Sequence, residues 1–268
     1  MGLARLINEK NLIESKLKDM VFGSIEVRET GGKKFIYVHY REGNNHKNKY
    51  VGEYSLDLYN LIVNNNIFSK AYKKRLREIY KELYKHGYSY DVISEEALTN
   101  IASIKEKLPE MIYNQVKSEG LDVSITDVKK LISSDTINNM NGETALKIIN
   151  LKRAWDFILL EDTLRCPTNL DLLKELNYII EECLSPLAGS LRSVSINDKE
   201  TNIPEEKQVE KDIDNIVNGA AASEEKTNEL YQYIKKNQLF LTGNELTAIM
   251  FANHMLLKDG KSHLQTIF

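Results

Sequence analysis

Cysteine is scarce in this 268-residue chain, which contains only Cys166 and Cys183. The two residues lack metal-ligand spacing, and we predict that they are reduced thiols in a cytoplasmic protein. The five histidines also lack the convergent spacing that a zinc site requires. We therefore expect no metal site, and we assign His254 to the edge of the core or to an interface.

Long apolar runs are missing as well. No stretch of 18 or more apolar residues occurs, so we expect no membrane span. Internal repeats and low-complexity tracts are absent too. Apolar residues make up 42% of the chain and charged residues 28%, which is ordinary for a globular protein. The length allows one large domain or two smaller ones.

The net charge of -3 conceals an uneven distribution. Residues 1–90 contain 17 Lys and Arg against 10 Asp and Glu, a net +7, whereas the remainder has 19 against 29, a net -10. A basic first part and an acidic second part favour two modules with different partners. The alternative is that charge drifts along a lysine-rich chain without functional meaning.

The first part begins with a predicted helix, Leu6–Asp19, and then changes its periodicity. Apolar and polar residues alternate in GSIEVRET, KKFIYVHYR and NKYVGEYS, as they do in strands. The separating stretches TGGK and EGNNHK have turn compositions. This pattern predicts a small three-stranded antiparallel sheet over about Ser24–Tyr54, with one face covered by helices.

Helical periodicity replaces the strand pattern after the sheet. The predicted helices are Leu56–Val63, Ser69–His86, Ser94–Leu108 and Ile125–Ser133, with breaks at Pro109 and Gly120. We place a module boundary within Tyr88–Leu121. Residues 1–110 then form a basic sheet-and-helix module, and residues 121–268 form a helical domain.

The second module is predicted to be mostly helical. Its helices are Gly142–Leu160, Asn169–Leu184, Glu205–Val217, Thr227–Asn237 and Thr247–Lys258, with Thr168 as the N-cap of the second. In residues 189–204, GSLRSVSINDKETNIP, apolar and polar residues alternate in LRSVSI, NDKE has a turn composition, and TNI continues the strand pattern. This predicts an inserted β-hairpin. The predicted fold class is therefore α+β: a mostly α-helical domain with an inserted hairpin, preceded by a small three-stranded antiparallel sheet with helices.

The order of parts in the second module is specific. A helix reading LLKELNYIIEECL leads through a Gly-x-x-Arg step into the hairpin, and a helix, the loop QLFLTGNEL and a last helix follow. This order resembles the Fic (Fido) family, whose members transfer the AMP part of ATP to a protein hydroxyl. The resemblance spans about residues 140–268. It matches the family at Gly189, Arg192 and Pro204 in and beside the hairpin flap, which also includes Ser193 and Val194, and at Phe240, Gly243 and Asn244 in the signature loop.

The chain departs from the family pattern His-x-Phe-x-Asp/Glu-Gly-Asn-x-Arg at the positions of its general base, its metal ligand and its phosphate-binding arginine. Gln238 stands at the general-base position and has no nitrogen that titrates near neutral pH. Thr242 replaces the carboxylate that holds Mg²⁺, and Leu246 replaces the arginine that grips the outer phosphates. Glu245 adds a negative charge that repels a triphosphate.

The loop keeps its backbone features. Gly243 permits a turn that aims successive amides at one point, and the following helix adds the positive end of its dipole. The resemblance thus implies a weakened phosphate site for ATP with Mg²⁺, formed by Phe240, Thr242, Gly243, Asn244 and Leu246. The alternative is a plain helix–helix turn in which asparagine acts as a cap.

The segment TINNMN, residues 136–141, is similar to the inhibitory motif Ser/Thr-x-x-x-Glu-Gly/Asn of many family members. The resemblance places Thr136 at its first position, Met140 at the glutamate position and Asn141 at its last. In the family, the glutamate pairs with the signature arginine. Because Leu246 replaces that arginine here, an inhibitory glutamate would be a partly buried charge without a partner.

The predicted front sheet is a second candidate site. It interleaves Lys33, Lys34, Arg41, Lys47 and Lys49 with Phe35, Tyr37, Tyr40 and Tyr50. A basic sheet followed by a helix is loosely similar to the arm-binding domains of tyrosine recombinases, and phosphates favour such a surface. The alternative is that the aromatic side chains pack on helices while the lysines protect a sheet edge.

Three functions follow from these patterns. The first is a Fic-like pseudo-enzyme that binds a nucleotide phosphate, or a protein partner through its flap. The second is an active adenylyltransferase with an altered mechanism, in which Gln238 only orients the attacking hydroxyl. The third is a nucleic-acid-binding regulator that acts through residues 24–54.

Overall fold

The computed structural model describes residues 2–134, 140–195 and 202–261, and within them it contains ten α-helices and one three-stranded sheet. These residues divide into two compact units. The N-terminal unit comprises residues 5–85, and the C-terminal unit comprises residues 2–4 together with the chain from residue 86 onward. The sequence prediction assigned residues 86–110 to the first module, whereas in the structure they lie in the second unit.

The N-terminal unit contains most of α1 (Leu3–Asp19) and the antiparallel sheet β1 (Ser24–Thr30), β2 (Lys33–Glu42) and β3 (Asn45–Glu53), followed by α2 (Leu56–Lys85). The sheet order is β1-β2-β3, which confirms the predicted sheet. Gly31 and Gly32 both have positive φ, 60° and 76°, which suits a two-residue hairpin turn. One face of the sheet buries Ile36 and Val38 against Ile62 of α2.

The helix α2 is continuous, whereas the sequence predicted two helices with a break at VNNNIF. Asparagine is a weak helix former because its amide competes for backbone groups. Here those amides have other partners. Asn65 donates to the carbonyl of Val21 at 2.9 Å, and Asn66 exchanges two hydrogen bonds with the backbone of Gly23. These tertiary contacts hold the helix through the asparagine run.

The C-terminal unit is helical in its described residues. Its helices are α3 (Glu95–Ser118), α4 (Ile125–Ser134), α5 (Gly142–Ile158), α6 (Glu161–Leu164), α7 (Leu170–Glu181), α8 (Glu206–Val217), α9 (Ser223–Asn237) and α10 (Asn244–Lys258). Every residue from Leu246 to Leu257 is buried, so α10 is the central helix of this unit. It packs against α9, α7, α3 and α5.

Two predicted helix boundaries are wrong. Pro109 does not end a helix but lies inside α3, because the buried stripe of Ile104, Leu108 and Ile112 continues past it and offsets the lost hydrogen bond. The N-cap of α7 is Asn169, whose side chain accepts a hydrogen bond from the amide of Leu172 at 3.1 Å. The preceding Thr168 turns inward instead.

The predicted hairpin flap is not paired as strands in its described parts. Residues 191–195 and 202–204 have no strand hydrogen bonding, and residues 196–201 lie outside the described chain. The two limbs are joined by a side chain rather than by a ladder: Arg192 donates to the carbonyls of Val194 and Asn202.

Candidate functional site

The loop between α9 and α10, residues 238–243, contains the positions that the sequence marked as a phosphate site. Gln238 closes α9 in the left-handed conformation, with φ 47°. Its side-chain amide donates to the carbonyl of Lys235 at 2.7 Å, and its Oε1 accepts from Asn244 at 3.3 Å. Both ends of this amide therefore bind the chain itself.

Asn244 shapes the loop through its side chain. Its Oδ1 accepts from the backbone N–H of Phe240 at 2.9 Å, and its Nδ2 donates to the Phe240 carbonyl at 2.8 Å. The Asn244 amide thus binds both the N–H and the carbonyl of one residue, as a paired residue does across two β-strands, although the two residues are only four apart in the chain. Because Asn244 and the Phe240 ring are both buried, the asparagine has a structural role in the turn.

A carboxylate lies at the N-terminal end of α10. The N-cap residue Gly243 has φ 72°, and a Cβ placed on it would lie 2.4 Å from Oε1 of Glu181. The other oxygen of Glu181 accepts a hydrogen bond from Thr242 Oγ1 at 2.7 Å. The helix α7 thus supplies a carboxylate next to Gly243 and Thr242, beside the helix end whose dipole favours an anion.

Further carboxylates surround the same loop. Glu245 Oε1 accepts from the Tyr231 hydroxyl at 2.9 Å and from Lys235 Nζ at 3.0 Å. Burial raises the pKa of Glu119 at the end of α3. Lys147 opposes this increase, and the carboxylates of Glu181 and Glu245 add to it. Of these carboxylates, Glu181 accepts from Thr242 in the loop and Glu245 stands in the first turn of α10, and negative charge there disfavours a polyphosphate.

Arg192 links the flap limbs to the loop. It is 2% exposed, and its backbone N–H donates to Leu239 at 2.9 Å. Its guanidinium donates to four backbone carbonyls: Gln238 at 2.6 Å, Asn202 at 2.7 Å, Val194 at 2.8 Å and Asn237 at 3.3 Å. All three guanidinium nitrogens are thus engaged by the chain, and the residue holds the flap rather than a ligand.

Asn177 of α7 connects the beginning of the flap to the loop. Its Oδ1 accepts from the amide of Gly189 at 2.9 Å, and its Nδ2 donates to the Thr242 carbonyl at 3.1 Å and to Thr247 Oγ1 at 3.2 Å. Sequence reasoning missed both Asn177 and Glu181. The available signal was their spacing of four residues, which puts two polar groups on one face of the helix.

The remaining predicted site residues lie outside the loop, in the flap or in the segment before α5. Ser193 and Val194 are exposed on the first flap limb. Thr136 lies outside the described residues. Asn141 is the N-cap of α5, where its side chain accepts from the amide of Glu143 at 3.0 Å, and Met140 immediately precedes it. The structure thus assigns Asn141 a capping role.

In the described ranges, no group of three or more His, Cys, Asp or Glu side chains is placed to hold a metal ion. No described helix is both long and apolar enough to cross a bilayer.

The site does not fit ATP with Mg²⁺. Leu246 is 4% exposed and offers no phosphate donor, and the Thr242 hydroxyl is directed to Glu181. The carboxylate of Glu181 lies against Gly243 and already accepts a hydrogen bond from Thr242. The loop therefore lacks the groups for polyphosphate binding and proton transfer.

Replacing Gly243 with alanine tests the position of Glu181. We expect G243A to lower the free energy of unfolding by about 1–3 kcal/mol, because a non-glycine residue is strained at this φ and its Cβ displaces the carboxylate. In an E181A background the loss is expected to be smaller by about 0.5 kcal/mol or more. Urea unfolding, monitored by fluorescence of the single tryptophan, Trp155, measures both. Equal losses in the two backgrounds would contradict the contact.

Comparison with solved structures shows which fold this chain is similar to. No protein-family model and no curated protein matches the chain. Among solved structures, a fragment of Fic-1 from C. elegans matches with a TM-score of 0.50 at 18% identity, and a single-residue variant of it matches with a TM-score of 0.51 at 17% identity. Each match covers 76% of this chain and 63% of the other, so the chain spans less than two thirds of these structures. The chain has a Fic-like fold, as the sequence resemblance predicted.

Proposed function

We propose that this Fic-like chain does not transfer AMP and acts by binding a protein partner. The observation that carries the proposal is the carboxylate of Glu181 against Gly243, at the end of α10 where a phosphate would bind. A binding role requires no proton acceptor at Gln238 and no phosphate donor at Leu246. It also explains why Arg192 is fully used in holding the flap.

The flap limbs are the proposed contact surface for the partner. Val194 and Ile203 are 49% and 53% exposed, although they flank the rigid Arg192 clamp. Exposed apolar side chains on an ordered surface favour protein contacts because they bury area at little entropic cost. A nucleotide phosphate at Gly243 is the less favoured ligand, since Glu181 must first move away.

Adenylyl transfer is expected to be absent. When the whole chain is incubated with ATP labelled at the α-phosphate, Mg²⁺ or Mn²⁺ and a cell lysate, we expect no protein to become labelled. A labelled band that is lost in Q238A and kept in Q208A, a matched change on exposed α8, would contradict the proposal. That result would instead support the altered mechanism in which Gln238 orients the attacking hydroxyl.

Binding through the flap is testable with a matched pair of variants. Proteins captured from lysate by the wild-type chain are compared with those captured by V194D and by V92D, whose native valine is 96% exposed in a distant loop. We expect one or more proteins to be retained by V92D and lost with V194D, because a buried aspartate without a partner disfavours an apolar contact. Identical captures for all three chains would refute the flap as the contact surface.

A further inference from the structure

The N-terminal unit contains a groove of about 980 Å³ that is separate from the Fic-like loop. The end of α1 and the face of α2 that carries Asn66, Lys70 and Lys73 form one wall, and the strands β2 and β3 contribute the other. The groove is concave and large enough to enclose part of a chain-like ligand.

The charges lining this groove have one sign. It is lined by five Lys and Arg side chains, Lys18, Arg41, Lys49, Lys70 and Lys73, and by His39 and His46, with no Asp or Glu among its described lining residues. The five cations are exposed, and none forms an ion pair with a carboxylate in the described part of the chain. Such unneutralised cations favour an anionic ligand.

The cations stand on opposite walls. Lys70 and Lys73 are three residues apart on α2, about one helical turn, and Lys73 is held over the Phe22 ring at 4.5 Å. On the facing strands, Lys49 pairs with Val38, and Arg41 with His46. Because Val38 and Arg41 are three residues apart on β2, the Lys49 side chain lies on the same face of the sheet as Val38, and the Arg41 side chain lies on the other face. Cations that are spread over α1, α2 and β3 suit a phosphodiester backbone better than a single phosphate group.

Aromatic side chains also line the groove. Tyr40, Tyr59 and Phe22 lie among the cations, and aromatic rings within a basic groove provide stacking surfaces for bases. Duplex DNA is instead read by convex elements that enter its grooves. The concave shape therefore favours a single strand over a duplex.

The sequence put forward the whole sheet, residues 24–54, for nucleic acid, and on its exposed face several of these side chains bind one another. Tyr37 stacks with Tyr50 at 5.5 Å, and Arg28 lies 4.4 Å over Tyr37 while it pairs with Glu26. Lys33 pairs with Glu53. Lys70 and Lys73 of α2 instead supply charge that is not paired with a carboxylate in the described part of the chain.

We propose that this groove binds single-stranded nucleic acid, with Lys18, Lys49, Lys70 and Lys73 on the phosphates and Tyr40 and Tyr59 against the bases. This activity belongs to the N-terminal unit and does not depend on the function proposed for the flap. An acidic peptide would be attracted by the same charges but would not use the aromatic rings.

The test is fluorescence anisotropy of the whole chain with a labelled single-stranded oligonucleotide of about 12 nucleotides, within the site sizes of about 4–16 known for single-strand binders. Raising salt from about 50 to about 200 mM is expected to weaken binding roughly 50- to 100-fold, as for four to five phosphate contacts. K70E/K73E is expected to weaken binding about tenfold or more and to flatten the salt slope by about 1.4. Y59A is expected to weaken it several-fold at unchanged slope.

The matched control is K74E/K81E, which makes the same charge change on exposed positions of α2 outside the groove. We expect it to bind within about threefold of wild type, since Lys74 and Lys81 do not line the groove and therefore make no contact with a strand bound in it. The inference is overturned if both double variants weaken binding equally, or if the wild-type chain does not bind the single-stranded oligonucleotide. It is also overturned if a duplex or polyglutamate binds as tightly as the single strand.

Discussion

Replacing Arg192 with alanine is expected to lower the free energy of unfolding of the C-terminal unit by about 3–5 kcal/mol. The guanidinium is buried and serves four backbone carbonyls, two at the end of α9 and one on each flap limb. Alanine removes every donor at once and abolishes four part-buried hydrogen bonds to a charged group, and a hydrogen bond of this kind contributes about 1.5–3 kcal/mol. The large expected loss reflects this sharing of one side chain among four acceptors.

Urea unfolding followed by Trp155 fluorescence measures this loss, because Trp155 is the only tryptophan and lies in the core of the same unit. R192K keeps the charge but has a single donor nitrogen, so we expect it to recover less than half of the loss. The matched control is R153A. It removes an arginine that is 46% exposed and pairs with Glu182, and such pairs contribute about 0–1 kcal/mol. Losses of similar size for R192A and R153A would contradict the assigned role.

Stability is expected to fall by about 3 kcal/mol as the pH is lowered from about 6.5 to about 4, through His254 alone. This histidine is buried in α10, where its Nδ1 lies 3.0 Å from Thr168 Oγ1 and its Nε2 lies 3.0 Å from the carbonyl of Thr163. Burial lowers its pKa to about 4. Lys258 adds to this decrease, and the bond to Thr163 opposes it.

The direction of this change in stability with pH follows from proton uptake. Between the ordinary pKa of about 6.5 and the folded value of about 4, the unfolded chain binds a proton that the folded chain excludes. The contribution of the neutral histidine is therefore complete above pH 6.5 and is lost progressively toward pH 4. Other groups of the protein titrate in the same range, so the comparison must be with a variant.

H254Q provides that comparison, since glutamine keeps a donor and an acceptor but does not titrate. We expect H254Q to be less stable than wild type at pH 7, and the difference between the two curves to shrink by about 3 kcal/mol toward pH 4. Urea unfolding at a series of pH values measures it. Parallel stability curves for the two chains would show that His254 is accessible to protons in the folded state.

The sequence predicted much of the fold because the relevant signals are local. Alternation of apolar residues located the sheet, and helical periodicity located α5 and α7–α10 to within a few residues. Trp155 was predicted to be a core residue from its apolar neighbours at helical spacing, and it is fully buried. The Fic-like fold was predicted from the order of elements rather than from residue identity in the loop.

The errors share a physical cause, since each depends on partners distant in sequence. The asparagine run in α2 is stabilised by Val21 and Gly23, more than forty residues away. The flap limbs are held by Arg192 instead of by pairing, and His254 is buried rather than at the core edge because Thr163 and Thr168 satisfy it. No local pattern predicts such contacts.

Glu181 illustrates the same limit for the site. The residues Gln238, Thr242 and Leu246 could be compared with the family motif from the sequence alone, because an aligned motif reveals substitutions. That a carboxylate sixty residues upstream lies against Gly243 depends on how α7 packs beside α10. The sequence prediction of a weakened phosphate site therefore did not include this carboxylate, which lies next to Gly243.

Calorimetric titration with Mg²⁺-ATP tests the central claim most directly. The titration uses the whole chain carrying K70E/K73E, so that the basic groove of the N-terminal unit does not contribute heat. We predict no saturable binding at about 1 mM ATP, corresponding to a binding free energy weaker than about -4 kcal/mol. One-to-one binding tighter than about 100 μM that is lost in N244A would contradict a loop closed to phosphate by Glu181.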